Sequence, residues 1–194
     1  MNTNRAVGTD IGLYTLAGWL SILQAVIILP KAGVDLFVEY LTPSGYGILQ
    51  LFIGFDVVSK LLGIYVLFMF RRLLNERHSF HKADKLINAL IFCYAAFALI
   101  WALDLVLNPQ SNVLFALPII YILSSLISIV YAIRLLKLES NLSGLLKPYV
   151  YTTIAGGVFG VTIVLGEYGR PIFMVSLILL GMILIRAKSE PEYL

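Results

Sequence analysis

The sequence predicts an all-α integral membrane protein, a polytopic bundle of about six transmembrane helices, and three observations predict it. First, 60% of its 194 residues are hydrophobic and only 13% are charged, against roughly 45–50% and about 25% in soluble domains. Second, the apolar residues fall into six runs, at about 11–29, 48–70, 86–107, 113–133, 148–165 and 171–185. About 20 residues at 1.5 Å rise cross a hydrocarbon core of roughly 30 Å. Third, the bases are segregated. With the N-terminus cytoplasmic, eleven of the 14 Lys and Arg lie on the cytoplasmic side, the asymmetry that sets membrane orientation. Both termini are then cytoplasmic, the expected compartment is a bacterial inner (plasma) membrane, and residues 1–194 read as one transmembrane domain.

The elements follow in order. Ile11–Leu29 is the first span, with Trp19 and Gln24 inside it and Pro30 closing it. It is longer than a signal-peptide core and no small-residue cleavage pattern follows, so it reads as a retained anchor. Gly8 and Gly12 form a GxxxG too near its entry to count as a helix-packing face. In Lys31–Gly47, Lys31, Asp35 and Glu39 recur every four residues among apolar neighbours. That pattern predicts a short amphipathic helix lying in the membrane interface, ended by a turn at Pro43-Ser44-Gly45.

The second span, Ile48–Phe70, carries Asp56 and Lys60 within its apolar run. A charge near the bilayer centre costs about 2.5–3.5 kcal/mol on insertion scales, so the pair requires an explanation. Four residues apart, acid first, the two share a helix face in the favourable order. They form either a solute or proton site, or a self-neutralising pair that specifies packing. Arg71, Arg72, Arg77, Lys82 and Lys85 follow in a predicted loop that attracts anionic lipid headgroups. In the same loop His78, His81 and Asp84 are spaced three apart, a weak metal-ligand pattern beside so many bases.

The third span, Leu86–Leu107, has Trp101 and Asp104 toward its end. Asp104 either sits at the interface or approaches Asp56 and Lys60. A turn, Asn108–Asn112, leads to the fourth span, Val113–Ile133, which Pro118 should kink. Beyond Pro118, Tyr121, Ser124, Ser125 and Ser128 make a polar stripe at helical spacing. Such a stripe acts as helix glue or lines a polar cavity. Arg134–Lys147 is a second basic loop, with a turn at Ser140-Asn141. In the fifth span Thr152, Gly156 and Gly160 give one small-residue face for close helix packing. Gly166–Arg170 reads as a turn, leaving a sixth span of only about 15 residues, 171–185. A shift of 62 residues lays Arg72-Leu73-Leu74 on Arg134-Leu135-Leu136 and Lys85 on Lys147, a faint echo of a duplicated hairpin.

Depth brings the polar residues together. Spans two and four run in the same direction, and Asp56 and Tyr121 are each eight residues past the start of their span. Both therefore lie about 12 Å from the helix ends. Lys60, Ser124 and Ser128 lie deeper, so these five line one pocket if the two helices are neighbours.

Enzyme chemistry has no sequence support. There is no HExxH, GxSxG, CxxC or P-loop. Haem bound across the membrane needs ligands within spans, and both histidines lie in a loop. The single cysteine, Cys93, excludes an internal disulfide. No cofactor is expected, the basic balance serves topology rather than nucleic acid, and no family motif is legible. The first expectation is a non-enzymatic accessory or partner-binding subunit, surrounded by the lipid bilayer. Its basic loops would meet anionic lipid, a membrane-protein partner or a second copy of the chain. The alternative is a small transporter or channel built on Asp56 and Lys60.

Overall fold

An apolar run in lipid must satisfy its backbone hydrogen bonds internally, so it coils into a helix. The computed structural model describes residues 12–28, 46–106, 116–162 and 166–187, and these are helical apart from short links. The helices are α1 (Gly12–Ile28), α2 (Tyr46–His78), α3 (Asp84–Val106), α4 (Ala116–Leu135), α5 (Leu146–Val161) and α6 (Gly166–Arg186). Four of them, α2, α3, α4 and α6, are long and apolar enough to cross a membrane. The described part of α1 and the 16 residues of α5 are shorter than the ~20 residues of a typical span. The interfacial helix predicted after the first span and the Asn108–Asn112 turn lie outside the described residues.

Two helices differ from the sequence expectation. The 33-residue α2 runs through Arg71-Arg72 to His78; at about 50 Å it is longer than the hydrocarbon core. Charges can end a membrane span without ending a helix, since arginine is a good helix former. The Arg72–Glu76 pair at 2.6 Å supports the added turns. α2 stops where Ser79 takes a left-handed φ of 47° and the Phe80 N–H donates back to the Leu74 carbonyl at 3.0 Å, with Phe80 buried at the helix end. The second difference is at α6, where Gly166–Arg170 is helical rather than a turn, so the helix has 21 residues with Pro171 inside it. Gly169 permits this: a Cβ there would lie 2.9 Å from Phe159 Cβ on α5. Pro118 is the third described residue of α4, and the kink expected there falls on backbone that begins outside the described residues.

Consecutive helices pack on one another from α2 to α6, and α1 closes the ring. Its Ser21 hydroxyl donates to the Leu177 carbonyl of α6 at 2.7 Å, and its Tyr14 hydroxyl to Glu76 of α2 at 2.8 Å. The main apolar core gathers at the end where α2 meets α3 and α4 meets α5, around Phe70, Leu73, Leu74, Ile87, Leu135 and Leu184. The outer surface is apolar instead: Phe92 is 75% and Ile119 69% exposed, whereas Ser21, Gln24, Ser59 and Ser176 are buried. Apolar side chains outside and polar ones inside, on four membrane-length helices, mark a membrane-embedded protein.

Candidate functional site: a polar cavity within the bundle

The inward face of α2 carries Asp56, Ser59, Lys60 and Gly63 at spacings of three and four, while Phe55, Val58 and Leu61 point outward and are exposed. The outward residues are suited to lipid, and this fixes the rotation of the helix. Asp56, Ser59 and Lys60 open onto a cavity of about 360 Å³, within the roughly 300–1,000 Å³ of small-molecule sites. From α4, Pro118, Tyr121, Ser124, Ser125 and Ser128 line the same space. Asp56, Lys60, Tyr121, Ser124 and Ser128 thus stand around one cavity.

The α4 hydroxyls are turned back on their own helix. Ser124 donates to the Tyr121 carbonyl at 2.9 Å and Ser128 to the Ser124 carbonyl at 2.8 Å. With their protons committed to the backbone, these oxygens can offer only lone pairs to an occupant. Lys60 Nζ lies 5.2 Å from the ring centroids of both Tyr94 and Phe97 on α3, cation–π contacts that strengthen when the ammonium is desolvated. Trp101 adds a third α3 ring, and Gly169, Arg170 and Phe173 of α6 complete the lining on that side. Tyr94, Phe97 and Trp101 recur at helical spacing and could have been read from the sequence as one face. Arg170 was hidden by the reading of its segment as a turn. Asp104 belongs to α3, and its side chain lies outside what is described.

A second, smaller pocket of about 30 Å³ continues inward and shares Tyr94, Ser128, Thr153 and Phe173 with the main cavity. Gln24 of α1 and Gly63 of α2 border it. Its floor holds two hydroxyl pairs, Tyr131–Tyr149 at 3.1 Å and Thr153–Ser176 at 2.6 Å. The Phe70 ring meets that of Tyr149 edge-on at 5.9 Å, so core packing closes the space beyond.

The close contact of α5 with α4 falls on Gly157 and Gly160. A Cβ on Gly160 would lie 2.3 Å from Ser125 Oγ, and one on Gly157 2.6 Å from Ile129 Cγ1. Gly156 faces Phe173 at ordinary contact distance and lines the cavity. Thr152 bonds back to the Pro148 and Tyr149 carbonyls at 2.9 and 3.0 Å.

The first basic cluster sits mostly on the last turns of α2. Arg71 binds Asp84 at 3.2 Å and Asn88 at 2.9 Å, Arg72 binds Glu76, and Arg77 donates to the Ala187 carbonyl with its guanidinium 5.6 Å from the Tyr14 ring centroid. Arg71 thus ties α2 to α3, and Arg77 ties it to the residue after α6 and to α1, while Lys82 and Lys85 are exposed. Of the weak metal pattern, His81 Nδ1 lies 3.3 Å from Asp84, whose oxygens also accept from Asn75 at 3.0 and 3.1 Å. Among the described residues, no three His, Cys, Asp or Glu side chains gather to hold a metal ion. Comparison with family models, curated proteins and solved structures finds no match for the chain.

Proposed function

We propose that this protein binds a small polar solute in an intramembrane cavity, as a small transporter or channel or as the solute-binding part of one. The observation that carries this reading is the common lining of one cavity by Asp56, Lys60, Tyr121, Ser124 and Ser128. Ionisable groups within membrane helices are expensive and tend to mark solute or ion pathways. A purely structural ion pair has no need of a cavity of about 360 Å³ beside it. Six spans with both termini cytoplasmic in a bacterial inner membrane complete the proposal, on the strength of the base distribution. The test is solute entry into proteoliposomes, read by light scattering with a panel of small organic acids, amino acids and sugars. Wild type should admit at least one solute class, and the Asp56→Leu/Lys60→Leu variant should reduce that entry at least about tenfold. Unchanged entry in a folded double variant ends the proposal.

A second reading, an accessory or partner-binding subunit, draws on Lys82, Lys85, Arg134, Lys137 and Lys147, all exposed at the ends of helices that meet at one end of the bundle. Such a surface suits anionic lipid or an acidic partner. Purification at native expression that returned only the lone chain would count against the partner.

A further inference from the structure

The inner pocket offers one acceptor and one donor that the described residues do not satisfy. Gln24 is 1% exposed and lines the pocket, and its Oε1 has no hydrogen-bond partner. The hydroxyls of Tyr131 and Tyr149, 3.1 Å apart, share a single bond, which leaves one of their two protons with no acceptor among the described residues. The other hydroxyls of the pocket are committed. Ser128 donates to the Ser124 carbonyl at 2.8 Å and Thr153 to the Tyr149 carbonyl at 2.7 Å, so the 2.6 Å bond between Thr153 and Ser176 takes the Ser176 proton. Unmatched buried groups are costly, so the position calls for a partner from outside the protein.

A carboxylate only accepts and would face Gln24 Oε1. An ammonium only donates and would face the phenolic proton. A hydroxyl does both. The space of about 30 Å³ admits one hydroxyl-bearing carbon, or one or two waters. Glycine keeps that space open: a Cβ on Gly63 would lie 2.9 Å from Gln24 Nε2 and 2.7 Å from the Tyr94 ring. The pocket shares Tyr94, Ser128, Thr153 and Phe173 with the main cavity, so one solute can reach into both. An alcohol entering from the main cavity reproduces the hydrogen bonds of the water it displaces. In the main cavity the Ser124 and Ser128 oxygens offer lone pairs to further hydroxyls, and Phe97 and Phe173 offer apolar walls to a face of C–H groups.

Resting on the solute-binding reading above, we propose that the solute is a monosaccharide whose terminal hydroxymethyl group enters the inner pocket. Its hydroxyl donates to Gln24 Oε1 and accepts from the Tyr131–Tyr149 pair. Gln24 is then the residue that sets specificity for that hydroxyl.

Calorimetry on the full chain in lipid nanodiscs tests this with three pairs of probes: D-glucose, D-galactose and D-mannose, each against its 6-deoxy analogue. At least one hexose should bind, roughly tenfold more tightly than its 6-deoxy partner. The 6-amino-6-deoxy analogue of that hexose should bind more weakly than the hexose, because its ammonium cannot accept the phenolic proton. Gln24→Leu should bring the pair within about twofold of each other. Gly63→Ala, which narrows the same pocket, should also shrink the preference, and it serves if the Gln24 variant does not fold. Equal affinity within every pair in the wild type would overturn the inference and leave the inner pocket to bound water. Tighter binding of the amino sugar would overturn the hydroxyl assignment, and a preference that survives Gln24→Leu in a folded protein would overturn the role of Gln24. Absence of binding by every probe overturns this inference alone, because the cavity reading is judged separately by solute entry and thiol accessibility.

Discussion

Gly18 of α1 and Gly181 of α6 cross backbone to backbone, so that a Cβ on either would fall 2.6 Å from the other's carbonyl oxygen. The flanking isoleucines pack over the crossing: Ile185 Cγ1 is 2.6 Å from the Gly18 Cβ position and Ile22 Cγ1 2.8 Å from that of Gly181. Close approach of this kind holds membrane helices together through van der Waals contact, since lipid supplies no hydrophobic drive between them. Here it seats α1 against α6, and α1 carries Gln24 to the inner pocket.

Either Gly18→Ala or Gly181→Ala should therefore destabilise the bundle, by about 1–3 kcal/mol as an overpacking change. Thermal unfolding in mild detergent measures this. Gly12→Ala on the same helix is the control, since nothing lies within 4 Å of its Cβ position.

Two glycines of α5 should separate packing from cavity shape. Gly160→Ala drives a methyl into Ser125, 2.3 Å away, and should lower stability by about 1–3 kcal/mol. Gly156→Ala meets Phe173 only at 3.7–3.8 Å and should leave unfolding nearly unchanged, while its methyl occupies cavity volume and weakens solute entry. Equal stability losses in both variants would remove the distinction.

The pair on α2 should behave asymmetrically. Lys60→Leu removes the base one turn from Asp56 along with the contacts to Tyr94 and Phe97, and should cost roughly 2–4 kcal/mol. Adding Asp56→Leu should restore at least about half of that loss, because two apolar residues replace a pair of desolvated charges. The same unfolding assay reads both variants.

Much of this arrangement was legible in the sequence, in physical terms. Rise per residue and helix direction are enough to set Asp56 level with Tyr121 and Lys60 near Ser124, and these residues line the cavity. Hydropathy locates apolar runs but not helix ends. It stops at Arg71-Arg72 where the helix continues to His78, and it breaks at Gly166–Arg170 where α6 has already begun. A repeat of four residues cannot give a helix's rotation to better than one position, about 100°. The expected face of Thr152, Gly156 and Gly160 therefore sits beside the buried set Thr153, Gly157 and Gly160. Gln24 was visible as a polar residue within a span, but its role depends on Gly63 and Tyr94, which long-range packing brings beside it.

The most direct test of a polar cavity inside the membrane is thiol accessibility along α5. In a background with the buried Cys93 replaced by alanine, Gly156→Cys faces the cavity and Val158→Cys, 52% exposed, faces outward toward lipid. In native membranes a small charged methanethiosulfonate reagent should modify Gly156→Cys and leave Val158→Cys unreacted, because charged reagents and thiolates both need water. An unreactive Gly156→Cys in a folded protein would contradict a water-accessible cavity, and with it the solute-binding function.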